Sequence, residues 1–85
     1  EARISDYAVV TDNARVYEYA MVFGNARVEG NAWVYGRAWI SDNARIMGKT
    51  LVLDSAQVSE NAWVCGYSRI YGTTKIGAYA YINED

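Results

Sequence analysis

The sequence contains no histidine and no proline, and it holds a single cysteine. Without histidine it lacks the commonest general base and the commonest transition-metal ligand. One thiol cannot close an internal disulfide, so cysteine usage leaves the redox compartment open. A surplus of positive charge is missing too. Ten acidic and eight basic residues leave a net −2, which excludes a generally basic nucleic-acid or membrane-surface protein. No apolar run approaches the ~18 residues that a membrane span requires, and Glu1-Ala2-Arg3 does not open like a secretory leader. The length, 85 residues, suits one domain and no second.

What the chain does have is a period, and a fixed period decides architecture before any local propensity does. From Ala2 onward the sequence divides into fourteen hexapeptides without a slip, with only Glu1 left over. Alanine takes the first position in eleven units, and Thr50, Ser68 and Thr74 take it in the others. The third position is Val or Ile in all fourteen, from Ile4 through Val34 and Ile40 to Ile82. The fifth is Gly at 24, 30, 36, 48, 66 and 72, an acid at 6, 12, 18, 42, 54, 60 and 84, and Ala78 once. The sixth is often Asn, at 13, 25, 31, 43 and 61.

A helix has no use for this pattern. Six residues turn an α-helix through about 600°, so successive Val and Ile would wander around the cylinder. A strand uses it well, because the small and β-branched residues alternate onto one face while Arg, Trp, Tyr and Ser point to the other. The following Gly-Asn, Asp-Asn or Glu-Asn pair then breaks the strand, since these residues tolerate positive φ at a tight corner. The unit expected is a four-residue strand with a two-residue corner. Strands this short cannot alternate direction without turning every second inward face outward. Winding always the same way, and pairing each strand in parallel with its counterpart one turn on, buries every Ala and Val/Ile together. The expected fold is an all-β, single-domain β-solenoid over residues 1–85.

Runs such as Asn25-Ala26-Arg27-Val28-Glu29-Gly30-Asn31-Ala32-Trp33-Val34-Tyr35-Gly36 resemble the hexapeptide repeat of left-handed parallel β-helix proteins. The resemblance extends over residues 2–85. It implies a triangular cross-section, left-handed winding and three hexapeptides per coil, hence about 4.7 coils of 18 residues. Handedness comes from the resemblance alone. Relatives of this kind include acyltransferases with a catalytic His between subunits and γ-class carbonic anhydrases with three zinc-binding His. Neither site has a counterpart in a chain without His, so no catalytic, cofactor-binding or metal residue is carried over, and an enzyme is not expected.

Residues 18 apart should stack, so the outward positions form columns. One face gives Arg15, Trp33, Leu51 and Arg69 beside Tyr17, Tyr35, Leu53 and Tyr71. The second gives Arg3, Met21, Trp39, Gln57 and Lys75, and the third Val9, Arg27, Arg45, Trp63 and Tyr81. The first stands out, with six aromatic or leucine residues among eight: Tyr17, Trp33, Tyr35, Leu51, Leu53 and Tyr71. Such a face reads as a contact surface. The plainer reading is that Tyr and Trp have high β-propensity and stack well in parallel ladders. The corner acids read as solvated turn residues, and outward-facing Cys65 as a bystander.

Three roles are compatible with these residues. The first is a non-catalytic, self-assembling scaffold, a trimer or dimer joined through the aromatic face, with end-to-end stacking of its terminal coils. In that reading charges at Glu1, Arg3, Glu84 and Asp85 blunt the coil ends. The second is a carbohydrate- or protein-binding module using the same face. The third is an excised or engineered piece of an acyltransferase-like solenoid. Nucleic acid is not an expected partner, because acids are interspersed with the Arg residues. Nor is a membrane.

Overall fold

The computed structural model describes residues 2–84; Glu1, Asp85 and the side chain of Glu84 lie outside the described residues, and with them most of the expected end charges. Fourteen strands begin at six-residue intervals, and no helix occurs among the described residues. One sheet orders β1 (Arg3–Ile4), β4 (Met21–Val22), β7 (Trp39–Ile40), β10 (Gln57–Val58) and β13 (Lys75–Ile76). A second runs through β2 (Val9–Val10), β5 (Arg27–Val28), β8 (Arg45–Ile46), β11 (Trp63–Gly66) and β14 (Tyr81–Glu84). The third holds β3 (Arg15–Val16), β6 (Trp33–Val34), β9 (Leu51–Val52) and β12 (Arg69–Ile70). Every pairing is parallel and joins residues 18 apart, such as Val34 with Val52. This is a three-sided parallel β-solenoid.

The strands are shorter than the repeat suggests. Regular pairing is confined to two residues in all but β11 and β14, which keep four. The hydrogen-bond ladder nevertheless continues into the corners. Arg3, Ser5 and Tyr7 donate in turn to the carbonyls of Ala20, Val22 and Gly24 in the next coil. Corner curvature therefore shortens the strand without interrupting the ladder. Within most corners the chain also closes on itself, as where the Ala8 amide donates to the Ser5 carbonyl at 3.2 Å.

Positive φ marks the fifth residue of every unit from Asp6 to Ala78, at 56–77°. Glu84, the fifth residue of the last unit, lies in β14 in register with Gly66. At Gly48 a Cβ would lie 2.7 Å from the Gly66 backbone nitrogen, so glycine there answers both the dihedral and the closeness of the next coil.

Inside, the first and third positions form one continuous core. Ala20 through Val64 have no accessible surface at these positions, and each buried Val or Ile contributes roughly 1.5–3 kcal/mol. Thr50 and Ser68 replace alanine without leaving a hydroxyl unpaired. Thr50 Oγ1 donates to the Met47 carbonyl at 2.8 Å, and Ser68 Oγ donates to that of Cys65 at 2.7 Å. Towards the first coil the core opens, and Ile4 is 49% exposed.

Candidate interaction surface

The six residues singled out from the sequence lie together on the outer face of the third sheet. Parallel register sets Arg15 beside Trp33, Trp33 beside Leu51 and Leu51 beside Arg69. Two positions further along each unit, Tyr17, Tyr35, Leu53 and Tyr71 complete the face. Tyr17 stacks on Tyr35 with ring centres 5.0 Å apart and planes at 11°, and it meets Trp33 edge-on at 6.2 Å. These contacts arise because parallel pairing puts like positions one coil apart, where offset stacks and T-shaped pairs form readily. Trp33 keeps 38% of its surface exposed and Tyr71 keeps 60%, while Tyr35, Leu51 and Leu53 are half-buried.

Burial raises the Tyr17 hydroxyl above the ordinary phenol range; Tyr35 and Glu18 add to that shift and Arg15 opposes it. Arg15 lies over the Trp33 ring at 5.4 Å. Its guanidinium thus extends the aromatic ladder with a cation instead of ending it.

The other two faces are less continuous. Each carries one exposed tryptophan, Trp39 in β7 and Trp63 in β11. Phe23 packs edge-on against Trp39 at 6.0 Å, and Arg45 lies over Trp63 at 5.0 Å. Cys65 is half-buried, with its thiol 3.7 Å from the Tyr81 hydroxyl.

Two features escape a reading by faces. The edge beside the third sheet adds Asn13, Asn31, Lys49 and Tyr67, which border a shallow groove with Arg15, Trp33, Leu51 and Arg69. The 18-residue spacing of the sixth positions was the signal for that column. The second feature is the role of the corner acids, which are exposed but not merely solvated. The carboxylates of Asp6, Asp12, Glu18, Asp42, Asp54 and Glu60 accept hydrogen bonds from the backbone amides of Gly24, Gly30, Gly36, Glu60, Gly72 and Ala78. Each bond ties one coil to the next. Among the described residues no group of three or more acids and cysteines is placed to hold a metal ion.

The sheets, register and corners define a parallel β-solenoid repeat protein. A family model described as YdcK beta solenoid repeat matches residues 20–36, close to one coil of the structure. That stretch runs from Ala20 to Gly36 and includes Trp33 and Tyr35 of the aromatic face. No curated protein and no solved structure matches the chain.

Proposed function

We propose that this solenoid is a non-catalytic scaffold that self-associates through Tyr17, Trp33, Tyr35, Leu51, Leu53 and Tyr71. The observation that carries the reading is the ordered state of that face. Tyr17, Tyr35 and Trp33 already pack against one another at 5.0 and 6.2 Å, so a partner would not have to immobilise them. Broad apolar faces of this kind are rare on monomers and common at interfaces. A trimer is the first expectation and a dimer the second, following the habit of the hexapeptide solenoids that the repeat resembles. The absence of histidine supports a role without acid–base or zinc chemistry.

Sedimentation equilibrium tests the reading. The wild-type chain should form a discrete oligomer, and Tyr35→Glu with Leu53→Lys should give monomers with a lowered melting temperature. A wild-type chain that stays monomeric at high micromolar concentration overturns it.

A further inference from the structure

The groove at the edge of the aromatic face differs from that face in charge. It encloses about 560 Å³ and is bordered by two columns, Asn13, Asn31, Lys49 and Tyr67 on one side and Arg15, Trp33, Leu51 and Arg69 on the other. Three cations line it, and no carboxylate does. The reason lies in the neighbouring corner, where the residues are Asp12, Gly30, Gly48 and Gly66. Only Asp12 is acidic there, and its carboxylate accepts a bond from the Gly30 amide. The groove at the corner between the first and second sheets contrasts with this one, since Asp42 and Glu60 line it. In a chain of net charge −2, this edge is locally positive.

Two of its three cations are held by rings. Arg15 lies over Trp33 and Lys49 over Tyr67, each at 5.4 Å from the ring centre. Such contacts orient a charge without neutralising it. Arg15 and Arg69 stand three coils apart, a separation of about 14 Å at the usual strand spacing. Asn13 and Asn31, one coil apart, offer amides that both donate and accept.

We infer that this groove binds an acidic polysaccharide, with Arg15, Lys49 and Arg69 taking its carboxylate or sulfate groups and Asn13 and Asn31 its hydroxyls. Four coils in register make a straight track, which suits an extended polymer. Single-stranded nucleic acid fits less well, because base stacking needs open ring faces and a cation already covers one face of Trp33 and of Tyr67. The inference goes beyond self-association and does not require it; since both use Trp33 and Leu51, a bound glycan and a second copy of the chain would compete for that wall of the groove.

The probes are oligogalacturonate for carboxylate, dextran sulfate for sulfate, neutral dextran and a single-stranded oligonucleotide. Binding is read by calorimetry at low and moderate salt. At least one acidic glycan should bind, more weakly as salt rises, while neutral dextran does not. Changing Arg15, Lys49 and Arg69 together to Ser should weaken that binding about tenfold or more, because charge-assisted hydrogen bonds are lost. Changing Arg27, Arg45 and Lys75 to Ser removes the same charge elsewhere and should leave most of the affinity. All six side chains leave the core intact, and circular dichroism confirms folding of each variant. The inference is overturned if neither acidic glycan binds or if both triple variants lose affinity equally. Tighter binding of the oligonucleotide than of either glycan overturns it as well.

Discussion

Glu18 Oε1 accepts a hydrogen bond at 2.9 Å from the backbone amide of Gly36, one full coil further along the chain. At positive φ the side chain of a corner residue is directed at the corner of the coil that follows. Except at Ala78, described residues there with positive φ either have no side chain, as at Gly24, or carry a carboxylate that reaches the next amide, as at Asp42. Acid and glycine alternate as solutions to one steric problem.

Removing such a bond should cost little but measurably. Asp54 Oδ2 is 3.0 Å from the Gly72 amide and the side chain is exposed. Asp54→Ala is expected to lose about 0.5–1.5 kcal/mol for the hydrogen bond. Asp54→Asn retains an acceptor and tolerates the left-handed region, so it should sit close to wild type. Urea denaturation midpoints compare the two, and equal midpoints would remove the carboxylate's role.

Two glycines separate dihedral strain from crowding. Gly48 and Gly72 have φ of +71° and +67°, but a Cβ meets the Gly66 backbone at the first and nothing within 4 Å at the second. Gly72→Ala should cost on the order of 1 kcal/mol, the price of a left-handed L-residue. Ala78 already adopts φ 56° in the native chain. Gly48→Ala adds a backbone clash and should cost a further ~1–3 kcal/mol. Thermal melts that rank them in the other order would contradict the packing.

The alternation of inward and outward residues makes a sharp pair. Val34 is completely buried, whereas Tyr35 stands on the outer face against Tyr17. Val34→Asp places an unpaired carboxylate in the core at a cost of several kcal/mol, enough to unfold a marginally stable domain. Tyr35→Asp should leave a folded chain with a lower melting temperature. An unchanged circular dichroism melt for Val34→Asp would show that residue 34 does not face inward.

Tyr17 sets the sign of an alkaline effect. Its folded phenol holds its proton above the ordinary range, chiefly because burial disfavours the phenolate. Below the ordinary phenol value of about 10, both states are protonated and nothing is lost. Above it the unfolded chain releases the proton first, so stability falls as pH rises through the window up to the raised value. Tyr17→Phe should therefore flatten the decline of melting temperature above about pH 10. Equal slopes for variant and wild type would rule the effect out.

The hexapeptide period by itself determined the parallel solenoid and the inward column of Val34 and Ile40, while the 18-residue register came from the resemblance to hexapeptide-repeat β-helices. The solenoid and that column follow from a two-residue alternation interrupted at a constant interval, a local property that repetition carries through the whole chain. Given the 18-residue register that the resemblance supplies, the six-residue aromatic face was legible too, because stacking is then a matter of counting. Tertiary structure alone decided what lies across a corner. Twelve of the strands shorten to two residues because curvature ends regular pairing early, and the acids bond to amides 18 residues away because positive φ aims them there. The groove between Lys49 and Arg15 likewise joins the edge of one sheet to its face. Its charge balance depends on which corner column holds glycine, and no single hexapeptide contains that information.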